Sequence, residues 1–159
     1  MQIPFYRTQK FHKKYLKATG FLVACFGPIC FLATMPEFAE PGRWTLDILS
    51  WPLDGQETLN DSTSRFLSAL LGGFLLGCGA TIWSLSSLVY DKAPEMVRRA
   101  VLIGLCSWFV LDSLGSIAGG HASNALWNIL VLLSFVGPLW LPAKNSKKIV
   151  HVFNCSFII

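Results

Sequence analysis

The stretch Asp112–Asn128, DSLGSIAGGHASNALWN, decides the fold, because it sets polar residues and a glycine pair between two strongly apolar runs. SWFVL precedes it and ILVLLSFVGPLW follows it. The glycine pair at its centre predicts a tight turn that joins two antiparallel membrane helices. Polar side chains within the hydrocarbon normally face a bundle interior or a cavity, because their exposure to lipid is costly. The stretch therefore predicts a helical hairpin with a polar inner face.

The composition extends this interpretation to the whole chain. Of 159 residues, 53% are hydrophobic and 14% are charged, and the mean hydropathy is +0.51. A typical soluble domain carries about 25% charged residues. The apolar residues form blocks near the ~20 residues that a helix needs to cross a bilayer. We expect an all-α, antiparallel four-helix bundle within one integral membrane domain, 18–142, with spans at about 18–35, 64–90, 95–119 and 123–141.

The outer loop, 36–63, is predicted to carry a short helix on the membrane surface. Trp44, Ile48 and Trp51 recur at the spacing of one helical face. Tryptophan prefers the membrane–water interface. We therefore expect residues 43–51 to lie at the interface as an anchor, and a lid that closes on a ligand is the alternative.

The cations predict the topology. The basic N-terminus, 1–17, holds five, and the 91–99 link and the basic tail, 143–159, hold three each. The outer loop holds only Arg43. Under the positive-inside rule both termini are cytoplasmic. A basic start before an apolar run also fits a cleaved signal peptide, but Pro28 splits that run and favours an uncleaved first span. These flanking cations suit anionic lipid headgroups as partners and argue against nucleic acid.

Small residues predict where the helices touch. Gly72 and Gly73 fall on one stripe of the second span, and Gly115 and Gly119 share a face of the third. Small residues let helix backbones approach closely in lipid. We expect Gly73 to pack against the third span. No strand precedes this glycine run, so it does not indicate a nucleotide site.

The polar residues of the hairpin form the candidate site. With a helical rise of ~1.5 Å per residue, Asp112 and Asn128 lie at matching depth, roughly 10 and 9 Å below the turn. A hydrogen bond between them is expected. Ser116 and Asn124 would form a shallower layer, with His121 at the mouth. A structural hydrogen bond and a proton-linked role for Asp112 both remain open.

Two other residues bear on this site. Arg65 is the candidate ionic partner of Asp112, but side chains lean toward the N-terminus of their own helix, which separates the two charged groups. A lone turn histidine such as His121 is more often solvated than a ligand, which disfavours haem or chlorophyll. The sequence shows no nucleophile–base pair and no metal cluster, so neither catalytic nor metal-binding residues are assigned.

Three segments resemble the small DoxX-like four-helix membrane proteins of bacteria. They are RFLSALLGGFLLGCG, RRAVLIGLCSWFVLDSLGSIAGG and NALWN, at 65–79, 98–120 and 124–128. The resemblance implies a four-helix bundle in a bacterial inner membrane, and a few relatives are linked to quinone-dependent sulfur oxidation. The long acidic outer loop and the basic tail depart from the family pattern, so no catalytic residue is carried over.

Three functional hypotheses follow. The first is a non-enzymatic membrane protein that binds a partner or a small ligand through the polar patch in the outer half of the bundle. The second is an accessory subunit of a quinone-linked or other energy-transducing membrane complex, which would lie near quinone or a pigment and have other membrane subunits or a second copy as its partners. The third is a proton-coupled carrier, which four short spans could support only as an oligomer.

Overall fold

The computed structural model describes residues 7–144, and these residues form an all-α four-helix bundle. The predicted fold class is confirmed. Four helices are long and apolar enough to cross a membrane, which makes this an integral membrane protein. The helices are α1 (Gln9–Leu32), α2 (Glu40–Ser50), α3 (Ser62–Ser84, extended by a π-helical turn, Leu85–Val89), α4 (Pro94–Ala118) and α5 (Ala122–Val136, extended by a 3-10 turn, Gly137–Trp140), with a further 3-10 turn at Pro36–Phe38.

The first helix begins well before the apolar run that starts at Ala18. Thr8 caps it, because the Thr8 hydroxyl accepts a hydrogen bond from the Phe11 N–H at 3.2 Å. Lysine is a good helix former, so the basic segment continues the helix outward from the membrane. Hydropathy marks the apolar part of a helix and not its ends.

The short surface helix, α2, covers nearly the predicted residues. It begins a turn early at Glu40, because Pro41 suits the first turn of a helix. It ends at Ser50, and Trp51 has a φ of +35°, which a helix cannot continue. Trp51 therefore does not share a helical face with Trp44, which corrects the prediction. Both tryptophan side chains are exposed on the protein surface.

Glycines bring the backbones of α1 and α3 into close contact. Gly20 and Gly27 on α1 and Gly72 and Gly79 on α3 are all buried. A Cβ atom added to Gly72 would lie 2.8 Å from the Gly27 carbonyl oxygen, and one on Gly79 would lie 2.5 Å from that of Gly20. Side chains larger than hydrogen would therefore force the two backbones apart.

The other predicted packing glycines lie outside these contacts. A Cβ atom on Gly73 or Gly115 would meet nothing within 4 Å, and one on Gly119 would meet only its own helix and the edge of His121. The expectation that Gly73 packs against the third span is wrong within the described chain. The reason is that α3 pairs with α1, and adjacent helix positions point about 100° apart, so Gly72 faces α1 while Gly73 faces outward.

The opposite end of the bundle from the hairpin turn is closed by an apolar cluster and an arginine. The Arg98 guanidinium donates to both Glu95 oxygens, at 2.6 and 2.8 Å, and to the Leu139 carbonyl at 2.7 Å. It thereby ties α4 to the end of α5. The cluster beside it joins α1, the end of α3, α4 and α5, and its buried members are Leu16, Tyr90, Val97, Val101, Leu105, Val136 and Leu139.

The two ends of the described chain meet at this same end. The Lys144 N–H donates to the Arg7 carbonyl at 2.8 Å. Lys13 on α1 forms an ion pair with Asp91 in the link between α3 and α4. The chain therefore enters and leaves the bundle on one side, as an even number of spans requires.

Candidate intramembrane polar site

A glycine turn brings the polar faces of α4 and α5 together. The Gly119 N–H donates to the Gly115 carbonyl at 2.8 Å, and the His121 N–H donates to the Ser116 carbonyl at 2.8 Å. Gly120 has a φ of +87°, a conformation that glycine adopts without strain. The chain therefore reverses within a few residues, and α5 runs back along α4.

The hydrogen bond expected between Asp112 and Asn128 is confirmed. The Asn128 Nδ2 group donates to Asp112 Oδ2 at 2.6 Å and to Ser113 Oγ at 3.2 Å. Asn128 is only 4% exposed, whereas Asp112 is half-buried. A buried amide needs such partners, because an unpaired one loses its hydrogen bonds to water. Ser113 was not predicted, because it lies about 100° around the helix from Asp112.

The shallower layer is also formed as predicted. The Asn124 Nδ2 group donates to Ser116 Oγ at 2.7 Å and to Asp112 Oδ2 at 3.3 Å. The Ser116 hydroxyl donates back to the Asp112 carbonyl at 2.7 Å. We call these residues the polar cluster: Asp112, Ser113, Ser116, Asn124 and Asn128.

The polar cluster uses its asparagine donors and leaves several acceptors open, while within residues 7–144 the Ser113 hydroxyl accepts from Asn128 and donates to no described group. Each asparagine Nδ2 carries two N–H groups, and each makes two hydrogen bonds within the cluster. Within residues 7–144, Asp112 Oδ1 and the Oδ1 atoms of Asn124 and Asn128 accept no hydrogen bond. None of the three is sealed inside the protein. The cluster therefore presents acceptors and a carboxyl group outward.

Two predicted members lie outside the cluster. The Arg65 guanidinium donates to the Asn60 carbonyl at 3.0 Å, and the ion pairs of the described chain do not join it to Asp112. Arg65 lies in the first turn of α3 and reaches toward its N-terminus, as helical side chains do. His121 stands at the N-cap position of α5, where its exposed side chain makes no capping hydrogen bond. Neither residue supplies a partner for the carboxyl group.

The surface helix is fastened beside the polar cluster by two residues that the sequence analysis did not single out. The Ser123 hydroxyl donates to the Leu49 carbonyl at 2.6 Å, and Trp127 Nε1 donates to the Ile48 carbonyl at 2.8 Å. The last carbonyls of a helix lack partners within it, so α5 satisfies two of those of α2. In the sequence, the only sign of this contact is that a serine and a tryptophan directly precede the two asparagines of the cluster.

The outer loop forms a separate cavity of about 290 Å³. Its cation is already engaged, because Arg43 pairs with Glu40 at 2.6 Å and donates to the Glu57 carbonyl at 3.3 Å. The buried Asp47 accepts from the Gly55 N–H at 3.0 Å. These bonds fold the loop against α2. Across residues 7–144, no group of three or more histidine, cysteine or acidic side chains could hold a metal ion.

Comparison with known proteins identifies no family for this chain. The chain matches no protein-family model, no curated protein and no solved structure. The resemblance to DoxX-like proteins stays a prediction, and function is inferred from the chemistry of the residues themselves.

Proposed function

We propose that this protein is a non-enzymatic membrane protein that binds a partner or a small ligand through the polar cluster. The observation that carries the proposal is the half-buried Asp112, held at its Oδ2 by two asparagines while its Oδ1 stays open. An ionisable residue within a membrane span is costly and usually marks a pathway or a binding site.

The internal hydrogen bonds support binding because they fix the site in advance. Asn128 is held by two bonds and Asn124 by two more, so a ligand would not have to order these side chains. Preorganised groups bind with a smaller loss of conformational entropy. The cluster lacks a base–nucleophile pair, and this favours binding over catalysis.

An accessory subunit of an energy-transducing membrane complex is the second candidate. It is favoured by outward-facing glycines of the spans, among them Gly73, Gly77 and Gly104, where an added Cβ would meet nothing within 4 Å. Small residues on a helix surface suit close packing against another membrane subunit. A quinone in the polar cluster fits less well, because its carbonyl groups only accept hydrogen bonds, and with the asparagine N–H groups occupied the Ser113 hydroxyl is the donor left to it.

The proposed location is a bacterial inner membrane with both termini in the cytoplasm. This proposal is supported by three cations, Arg7, Lys13 and Lys144, which lie together at the end of the bundle opposite the hairpin turn. The positive-inside rule assigns such an end to the cytoplasm. The polar cluster, near the turn, then lies in the outer half of the membrane.

Purification without detergent tests the proposed function. The wild-type protein, Asp112→Leu and a control, His121→Gln, would be extracted with surrounding lipid into polymer-bounded discs and analysed by mass spectrometry. We expect a small molecule or a protein that accompanies wild type and the control and is lost from Asp112→Leu. Identical co-purifying species in all three preparations would contradict a binding role for the cluster.

A further inference from the structure

We propose that the polar cluster binds the primary ammonium group of an amphiphile whose apolar body lies against α4. This inference rests on the proposed binding function and names the chemical class of the ligand. Three features of the site lead to it: the open acceptors, the missing countercharge and the empty space beside Asp112.

The open acceptors select a ligand that donates hydrogen bonds. Asp112 Oδ1 and the two asparagine Oδ1 atoms are open, while the N–H groups of both asparagines already bond within the cluster. A primary ammonium group has three donors and no acceptor. A fatty acid, a phosphate or a quinone offers acceptors and would find only the Ser113 hydroxyl as an open donor in the cluster, against three open acceptors.

The missing countercharge selects a cation. The cations of the described ion pairs are Lys13, Arg43, Arg98 and Arg99, and each is paired with an acid other than Asp112. The cation that the sequence offers as a partner on a neighbouring span, Arg65, is turned away toward Asn60. A carboxylate in a low-dielectric setting is stabilised by an opposite charge within a few ångströms. A ligand ammonium would supply that charge.

The space for such a ligand lies along α4. Gly115 follows Asp112 by three residues, on the adjoining part of the same helix face, and a Cβ there would meet nothing within 4 Å. Trp108 precedes Asp112 by one turn and is 37% exposed. Its ring offers both apolar contact and a face that attracts cations. The ligand body therefore has an apolar surface to follow into the membrane.

Binding of chosen amphiphiles to the full chain in phosphatidylcholine nanodiscs tests the proposal. The probes share a dodecyl chain and differ in the head: a primary amine, a trimethylammonium, an alcohol and a carboxylate. We expect saturable binding of dodecylamine that is about tenfold tighter than that of the trimethylammonium probe. The latter keeps the charge but lacks N–H donors. Dodecanoate should not bind above the level of empty nanodiscs.

Three variants test where dodecylamine binds and whether a loss of binding reflects misfolding. Asp112→Asn should weaken dodecylamine binding by about tenfold or more. Gly115→Leu should have the same effect while leaving the hydrogen bonds of the cluster intact, because it fills only the open space. Gly104→Leu, the same change about three turns deeper on α4 in similarly open space, is the matched control and should bind like wild type.

Adding a second lipid to the nanodiscs distinguishes the two possible sources of the amine, a lipid headgroup and a free amine. If phosphatidylethanolamine placed in the nanodiscs competes with dodecylamine, the natural ligand is a lipid headgroup; if it does not, the ligand is a free amine. Binding of dodecanoate or dodecanol that depends on Asp112, without binding of the amine, would overturn the ammonium assignment and leave the proposed function standing. Failure of every probe to respond to Asp112→Asn and Gly115→Leu would count against both.

Discussion

Replacing Gly79 with alanine should destabilise the bundle, although alanine is the better helix former by up to about 1 kcal/mol. The added Cβ would lie 2.5 Å from the Gly20 carbonyl oxygen and 2.7 Å from the Ala24 Cβ. Favourable contacts between non-bonded heavy atoms begin near 3.5 Å. The two helices must therefore move apart by about 1 Å, because the obstructing atoms belong largely to the α1 backbone and cannot rotate away.

The expected loss in the free energy of unfolding is about 1–3 kcal/mol, the usual range for overpacking. Gly73→Ala is the control on the same helix, because its Cβ would meet nothing within 4 Å. It should leave stability unchanged or raise it slightly through helix propensity. Unfolding of both variants by SDS titration in mixed micelles would measure the difference. Equal stability of the two variants would refute the assignment of the α1–α3 contact.

Three further predictions concern the topology, the polar cluster and a helix cap. Cysteines introduced at the exposed Gln56 and Lys92, in a background without native cysteines, should react with an impermeant thiol reagent from opposite sides of the membrane. Reaction of both cysteines from the same side would contradict a membrane span between them. Asp112→Leu should lower the free energy of unfolding by about 1–3 kcal/mol, because it deprives the buried Asn128 of its 2.6 Å acceptor. Asp112→Asn retains an acceptor and should be tolerated better. Equal melting temperatures of the two variants would argue against the buried hydrogen bond. Hydrogen bonds from Ser64 hold the pKa of Asp61, the N-cap of α3, below its ordinary value. The contribution of the Asp61 carboxylate to folding stability is therefore present above about pH 4, and it is lost as the pH falls through the folded-state pKa. Asp61→Ala should therefore lower the melting temperature at pH 7 more than at pH 3, while Asp61→Asn, which also caps helices, should change it little at either pH; a deficit of Asp61→Ala that does not vary with pH would contradict this.

The polar cluster could be predicted because its members are close in sequence. Asp112 and Asn128 are separated by one tight turn, so helical rise alone places them at matching depth. The same local reasoning predicts the four apolar helices and the surface helix. Periodicity and hydropathy are properties of short segments, and they need no knowledge of how the helices pair.

The contacts between distant segments could not be predicted in this way. Gly72 and Gly73 both look suited to packing, and only the position of α1 decides that Gly72 is buried. The link from Trp127 to the Ile48 carbonyl likewise depends on where α2 settles. The separation of Arg65 from Asp112, by contrast, was predicted from helix direction alone, and Arg65 reaches the Asn60 carbonyl near the start of its own helix.

Photocrosslinking at Trp108 in native membranes tests the occupancy of the polar cluster most directly. A photoreactive phenylalanine would replace Trp108, one turn from Asp112, and a matched one would replace the exposed Trp140 at the opposite end of the bundle. We predict an adduct at position 108 that disappears when Asp112→Leu is added and that is absent at position 140. The same adducts at both positions, or an adduct at 108 that survives Asp112→Leu, would contradict a binding site at Asp112.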